Sequence, residues 1–138
     1  MAKNIRQGGN NQPITRLGVI CTDPASPVSG DPVRFGTIVG VADVNEDATT
    51  GKTTIETDCI AELAVKGVDG SGNVAVNAGD KIYYVDADAP KLSKKATGTP
   101  FGIAYGNALT DNGVEVLSGQ LVASGATTTI RVLVKQGL

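Results

Sequence analysis

Apolar and polar residues alternate along much of the chain, and a period of two is the pattern of a half-buried β-strand. The clearest example is residues 127–135, whose apolar positions are Ile130, Val132 and Val134. We expect these three side chains to face a core. The polar side chains of the same segment are expected to face solvent: Thr129, Arg131 and Lys135.

A second alternating segment covers residues 53–65. One face of it carries the smaller and apolar residues Ile55, Thr57, Cys59, Ala61, Leu63 and Val65. The other face carries acidic residues that suit solvent: Glu56, Asp58 and Glu62. Shorter strands are predicted at residues 32–35, 37–42, 74–76, 81–85, 101–105, 114–117 and 121–122.

Turn-forming residues separate these segments. The chain of 138 residues contains 18 glycines and 6 prolines, and only 4% of its residues are aromatic. Many short strands joined by close turns predict an all-β fold, a compact antiparallel barrel or sandwich with an aliphatic core. We divide the chain into an extended N-terminal arm, residues 1–16, and a single β-rich domain, residues 17–138.

The charge distribution sets the N-terminal segment apart. Residues 1–16 contain Lys3, Arg6 and Arg16 and no acid, whereas the whole chain has 12 basic and 14 acidic residues. Two interpretations stay open for this segment. It is either a frayed terminus, as in many domains, or an arm that becomes ordered on a partner, with Ile5 and Ile14 as its apolar anchors.

The composition argues against most catalysis. The chain has no histidine, which removes Ser-His-Asp and Cys-His nucleophilic sites and most zinc sites. We therefore expect no enzyme activity, no cofactor and no bound metal. The net charge of −2 gives no attraction to nucleic acid or to an anionic membrane, and no apolar run is long enough to span a bilayer. Cys21 and Cys59 are expected to be buried free thiols rather than a disulfide.

Two short motifs imitate ligand sites but are incomplete. Residues 51–53 read Gly-Lys-Thr, as at the end of a phosphate loop, but Glu46 stands where that loop requires glycine. Residues 69–80 begin with the ligand spacing of a calcium loop, but Val74 replaces its glycine and Asp80 its final glutamate. We therefore interpret neither segment as a ligand site, and we expect residues 68–73 to form a turn.

One weak internal repeat and one basic cluster complete the pattern. Residues 29–33 resemble residues 78–82, and each copy precedes a Phe-Gly pair, at 35–36 and at 101–102. The basic cluster of the body consists of Lys91, Lys94 and Lys95, and we expect it to be a solvated face. Asp86 and Asp88 next to it are expected to form a turn.

Several of these motifs together resemble the small capsid decoration proteins, or cement proteins, of tailed bacteriophages. The resemblance covers roughly residues 1–136 and follows the basic N-terminal segment with motifs in the family's order. They are Ser29-Gly30-Asp31-Pro32-Val33, Gly40-Val41-Ala42, the segments 57–63, 78–84, 96–98 and 101–104, and the last strand at 129–134. Two departures are Cys59, where the family commonly has glycine, and an apparent insertion at residues 107–120.

The resemblance implies a structural virion protein, made in the host cytoplasm, that binds the outer surface of the capsid and stabilises contacts between major capsid subunits. It also implies a homotrimer at local threefold positions. The alternative is a non-catalytic β-domain that binds another ligand, such as a glycan or a tail or fibre component. Under the first interpretation we expect the N-terminal arm to contact the capsid through Ala2, Lys3, Asn4, Ile5, Arg6, Gln7, Ile14 and Arg16.

Overall fold

The computed structural model of the protein describes residues 5–8, 15–109 and 119–138, and these form strands and turns without a helix. The strands are β1 (Ile5–Gly8), β2 (Thr15–Ile20), β3 (Pro32–Phe35), β4 (Ile38–Ala42), β5 (Lys52–Thr57), β6 (Cys59–Lys66), β7 (Val76–Asn77), β8 (Lys81–Tyr84), β9 (Leu92–Ser93), β10 (Thr99–Asn107), β11 (Gln120–Val122) and β12 (Thr127–Val134). The prediction of an all-β fold of short strands is therefore confirmed. The strand predicted at 114–117 lies outside the described residues.

Five strands close into a barrel in the order β6-β12-β10-β8-β9. The pairings around the ring are antiparallel except the last, in which β9 runs parallel to β6 with Leu92 beside Val65 and Ser93 beside Lys66. The strand β1 pairs antiparallel with the start of β6. Closure removes most free strand edges from this part of the molecule.

A second sheet, in the order β2-β5-β4-β3, is open, and β7 and β11 form a separate pair. Inside the barrel the core is mainly aliphatic, and its large aromatic members Tyr84 and Phe101 stack with ring centroids 6.4 Å apart. Val39 and Val41 of the open sheet join this core, so that sheet packs against the barrel. Its opposite face has a small core of its own, formed by Cys21, Val33, Ala42 and Ile55.

The weak sequence repeat corresponds to one turn that is built twice. The N–H of Gly30 donates to the carbonyl of Ala42 at 2.8 Å, and the N–H of Gly79 donates to the carbonyl of Ala104 at 2.8 Å. Both glycines have a positive φ, 94° and 93°, which disfavours any side chain there. Each turn opens an antiparallel pair of strands, β3 with β4 and β8 with β10.

The equivalence extends over four strands. Val33 lies opposite Gly40 in the open sheet, and Ile82 lies opposite Gly102 in the barrel. A Cβ on Gly40 would meet the carbonyl oxygen of Glu56 at 2.7 Å, and a Cβ on Gly102 would meet that of Leu133. The pairings continue in the same way, so β2-β3-β4-β5 (the first unit) and β6-β8-β10-β12 (the second unit) share one chain order. Their registers agree except for two irregularities in β10, between Pro100 and Gly102 and between Ala104 and Gly106.

This alignment corrects one detail of the predicted repeat. The glycine equivalent to Gly102 is Gly40, not Gly36, so the Phe-Gly pairs at 35–36 and 101–102 are not equivalent. The two units differ in closure. A 14-residue connection between β8 and β10 contains β9, which closes the barrel, whereas a tight turn joins β3 to β4 and leaves the first unit open.

Three predictions from the alternating pattern are wrong, one about the extent of a strand and two about the exposure of a side chain. The segment 53–65 is not one strand, because Asp58 has φ 54° and separates β5 from β6. Glu56 does not face solvent but is fully buried on the side where the open sheet meets the barrel. Arg131 does lie on the face opposite Val132, but it is only 3% exposed because β10 extends to Asn107 and covers it.

Candidate functional site

The residues predicted to contact a capsid are divided between the two sheets and the segments outside the described residues. Ala2, Lys3, Asn4 and Ile14 lie outside the described residues. Ile5, Arg6 and Gln7 belong to β1, where Ile5 is paired with Ala61 and Gln7 with Ile60. Arg16 belongs to β2 and is the register partner of Glu56. The backbone of β1 and β2 is thus part of the sheets, and contact with a capsid stays a prediction.

The basic cluster at residues 91–95 is neutralised by acids on neighbouring turns. Lys91 lies 3.5 Å from Asp86, Lys94 lies 2.8 Å from Asp80, and Lys95 lies 2.7 Å from Asp88. The Lys91 ammonium also donates to the Asp86 carbonyl at 2.6 Å. Partly exposed pairs of this kind contribute little stability each. They do cancel the positive charge of the three lysines, so this cluster attracts anions only weakly.

An arginine that the sequence did not single out joins the two units. The Arg34 guanidinium donates two hydrogen bonds to the Asp23 carboxylate, at 2.7 and 3.1 Å, and one to the Thr99 hydroxyl at 2.8 Å. It also lies over the Tyr84 ring, 5.6 Å from its centroid. Since Thr99 and Tyr84 belong to the second unit, this one side chain holds β3 against the barrel.

The Tyr84 hydroxyl is part of the same polar region. It donates to the Asp86 carboxylate at 2.7 Å, and desolvation by burial, together with this bond to a carboxylate, raises the pKa of Tyr84. The phenol therefore stays protonated at physiological pH and acts as a hydrogen-bond donor. Its role is to fix the turn after β8, next to the ion pair with Lys91.

Gln136 forms the second junction between the units. Its side-chain oxygen accepts the N–H of Val39 at 3.0 Å, and its side-chain amide donates to the Val39 carbonyl at 2.5 Å. The amide therefore pairs with β4 as a neighbouring strand would. No sequence pattern marks either Arg34 or Gln136, because their partners lie far away along the chain.

The two incomplete ligand motifs lie at turns next to strands, and the turn predicted at residues 68–73 is present. Gly51 has φ 71° and lies in the turn before β5, in which the Asp47 carboxylate accepts the N–H groups of Thr49 and Thr50 at 2.7 and 3.0 Å. These bonds lower the pKa of Asp47. In the other segment, the Asp69 carboxylate accepts the N–H groups of Ser71 and Gly72 at 2.8 and 3.1 Å. Both carboxylates thus stabilise backbone turns.

The cysteines are buried and unpaired with each other, as predicted. Desolvation raises the pKa of Cys59 to about 12, and the nearby charges of Glu56 and Asp58 act in the same direction. Burial also raises the pKa of Cys21. Thiols rather than thiolates are therefore present at neutral pH, and thiols are poor nucleophiles and metal ligands.

Two partly open cavities lie on the described part of the surface. One, of about 570 Å³, lies between the turns at residues 69–72 and 87–90 and is lined by Lys66, Lys95 and several small residues. Another, of about 420 Å³, is lined by Ile38, Pro100 and the last three residues of the chain. Within the described part of the chain, no cluster of three or more acidic or cysteine side chains is arranged to hold a metal ion.

The fold and its contacts define a class of protein, a rigid β-barrel with an appended sheet, in which the charged side chains fix turns and join the two units. A comparison with protein families identifies the class more closely. A family model described as phage cement protein matches residues 12–120, and the chain belongs to that family. No curated protein and no solved structure matches the chain.

Membership in this family indicates the general role of the protein. Phage cement proteins are structural and non-catalytic, and the family implies a capsid-stabilising role and a location on the capsid of the virion. The described residues contain no helix that is long and apolar enough to cross a membrane.

Proposed function

We propose that this protein binds the outer surface of a phage capsid and stabilises the contacts between neighbouring major capsid subunits. The observation that carries the proposal is the family match over residues 12–120. We further propose that the protein acts as a homotrimer at local threefold positions, is made in the host cytoplasm and ends on the outside of the virion. A role of this kind needs rigidity and complementary surfaces rather than bond chemistry.

The polar contacts support the rigidity that such a role requires. Arg34 and Gln136 each join the two units, through Thr99 in one case and the backbone of Val39 in the other. A rigid body transmits load between the subunits that it contacts instead of deforming. Several modest contacts on one rigid body also add to a tight attachment, since binding at one site raises the effective concentration at the next.

We propose that the basic N-terminal segment supplies part of the capsid contact through Ala2, Lys3, Asn4, Ile5, Arg6, Gln7, Ile14 and Arg16. Its three basic residues and lack of acids make it complementary to an acidic surface on the shell. Exposed ion pairs contribute only about 0.2–1 kcal/mol each. Attachment through them should therefore weaken as salt rises, because exposed charges are screened over about 8–10 Å at ordinary ionic strength.

The decisive experiment mixes the purified protein with capsids assembled without it. Stoichiometric binding to the outer surface, and a higher melting temperature of the decorated capsid, would support the proposal. Absence of binding at micromolar protein would contradict it. Electron cryomicroscopy of the decorated capsid would show whether the density lies at local threefold positions and has threefold symmetry.

The contribution of the N-terminal charges needs substitutions rather than deletion, because removing residues 2–16 would also remove β1 and the start of β2. We expect the double variant Lys3→Gln/Arg6→Gln to bind capsids roughly two- to thirtyfold more weakly per site, the factor for two exposed ion pairs. The matched control is Lys81→Gln/Lys135→Gln, which makes the same change in net charge at two exposed positions of the body. Equal weakening by both variants would exclude a specific role for the segment.

A further inference from the structure

We propose that the outer edge of β2 is a docking edge on which an extended segment of a capsid subunit pairs as an additional antiparallel strand. This inference rests on the proposed function and names the contact through which it would operate. It follows from the equivalence of the two units, from the backbone groups that β2 presents, and from the family to which the chain belongs.

The first step concerns the strand β6, the counterpart of β2 in the second unit. Its outer edge carries β1, with Ile5 paired to Ala61 and Gly8 paired to Cys59. Because β2 pairs with β5 as β6 pairs with β12, the equivalent segment of β2 runs from Thr15 to Leu17. Among the described residues, β2 is the terminal strand of its sheet, so this edge has no partner strand there.

The second step identifies the backbone groups at that edge. Asp43 donates its N–H to the carbonyl of Thr54, so the backbone N–H and C=O groups of the even-numbered residues of β5 point toward β4. The odd-numbered residues of β5 therefore bond to β2, and Leu17 is the register partner of Ile55. By alternation, the N–H and C=O groups of Arg16, Gly18 and Ile20 point away from the sheet, in the geometry that an incoming strand needs.

The faces of β2 are open to solvent at two positions. A Cβ on Gly18 would have no atom within 4 Å, and Ile20 is 57% exposed, the largest exposure among the large apolar side chains that the structure describes. Exposed edges in soluble proteins usually carry protective features such as lysine, proline or a bulge. In β2 the pairing with β5 is regular over all six residues, the strand contains no lysine or proline, and its one charged residue is Arg16.

The third step decides the occupant. Among the described residues, each chain supplies one strand of the β1 kind for two equivalent edges, on β6 and on β2. If β1 of a second copy moved to β2, it would leave the β6 edge of its own chain open, and the number of paired edges would not rise. We therefore assign the additional strand to a capsid subunit, because the family implies association with the phage capsid; pairing of β2 with β2 of a second copy is the alternative that the test distinguishes. Strand addition gives affinity through backbone hydrogen bonds.

The test uses two variants at one position. Gly18→Pro removes an outward N–H without removing an N–H that bonds to β5, whereas Gly18→Ala retains the N–H and adds one methyl group into open space. We expect Gly18→Ala to decorate capsids like the wild type. We expect Gly18→Pro to keep the wild-type fold and to bind roughly tenfold more weakly, the factor for about one backbone hydrogen bond.

Hydrogen exchange provides a second readout that does not depend on the folding of a variant. In the wild-type protein, the outward amides of residues 15–20 should exchange rapidly when free and become protected on the capsid. Equal binding of both variants, or amides that stay unprotected on decorated capsids, would overturn the inference and leave the proposed function intact. Protection in the free protein that disappears on dilution would overturn it in favour of a second copy. Failure of the wild type to bind capsids would instead reject the proposed function, and the inference with it.

Discussion

Asp31 and Asp80 occupy the same position in two copies of one turn. The carboxylate of Asp31 accepts the N–H of Val28 at 3.0 Å, and that of Asp80 accepts the N–H of Asn77 at 2.8 Å. Each of these carboxylates closes the turn that precedes the second strand of its four-stranded unit, β3 in one case and β8 in the other. The chain therefore forms the same turn twice, once before a strand of the open sheet and once before a barrel strand.

The Asp80 turn should contribute to acid sensitivity. Burial by itself would raise the pKa of Asp80, but the hydrogen bonds from Lys94 and from the Asn77 backbone, with the positive charge of Lys94, lower it overall. A carboxyl whose pKa is lower in the folded than in the unfolded state stabilises the fold above the unfolded value, near 3.8, and this stabilisation is lost as the pH falls through the folded value.

We therefore expect the melting temperature of the wild type to fall as the pH decreases below about 4. The variant Asp80→Asn should be less stable at pH 7 and should lose less on acidification. Lys94→Gln removes the cationic partner of Asp80, which lies 2.8 Å away, so this variant should also lose less stability than the wild type on acidification. An acid-induced decrease of the same size in all three proteins would show that Asp80 does not contribute.

Gly102 should not tolerate a side chain. A Cβ there would overlap the carbonyl oxygen of Leu133 on the neighbouring barrel strand. We expect Gly102→Ala to reduce the free energy of unfolding by about 1–3 kcal/mol, the usual cost of forced repacking. The matched control is Gly70→Ala, since a Cβ on Gly70 would have no atom within 4 Å. Denaturant titration measures both, and a stable Gly102→Ala protein would contradict the strand register.

Arg131 and Val132 should both be sensitive to substitution, contrary to the expectation from alternation alone. Val132→Asp would place an unpaired charge in the barrel core and cost several kcal/mol. Arg131 donates from Nε to the Asn107 carbonyl at 2.7 Å and lies over the Tyr105 ring at 5.1 Å.

The variant Arg131→Met, which retains an unbranched side chain, should cost about 1–3 kcal/mol because it removes the hydrogen bond to the half-buried Asn107 carbonyl and the cation contact with the Tyr105 ring. Chemical denaturation measures the loss. A suitable comparison is Lys135→Met, on the same strand but exposed, which should change stability by less than about 0.5 kcal/mol. Equal stability of the two variants would place Arg131 in solvent.

The thiols should be unreactive in the folded protein. Both cysteines are buried, and burial raises the pKa of each, to about 12 for Cys59. We expect no adduct with iodoacetamide at pH 8 under native conditions, and two adducts per chain in denaturant, as measured by intact mass. A fast-reacting thiol in the native protein would show that one of these side chains is accessible.

The junction at Gln136 should stabilise the attachment of the open sheet. Gln136→Ala removes both hydrogen bonds to Val39, and we expect a loss of about 1–3 kcal/mol. Gln136→Glu keeps the acceptor for the Val39 N–H but places a carboxylate against the Val39 carbonyl, so it should not restore stability. Hydrogen exchange at β4 should increase in both variants. Unchanged exchange there would show that Gln136 does not contribute to the attachment of the open sheet.

The sequence by itself determined many of the strands and turns. Short apolar runs next to turn residues located β3, β4 and β8 within one or two residues. Alternation located β12 equally well, because a strand with one buried face leaves a period of two in its side chains. The Gly-Asp pairs at 30–31 and 79–80 located the two equivalent turns, since glycine and aspartate act locally there. The family resemblance, which the family match confirmed, depended on the same local motifs.

Only the tertiary structure decided which outward faces are covered. Glu56 and Arg131 follow the alternation of their strands, yet both are buried, because the barrel covers one and the end of β10 covers the other. It also decided how the two units differ, since the two-residue strand β9 is too short to leave a pattern but closes the barrel through its pairings with β8 and β6. Such contacts join residues far apart along the chain. Periodicity reports only the direction in which a side chain points, and whether that direction leads to water or to another strand depends on the packing of the whole chain.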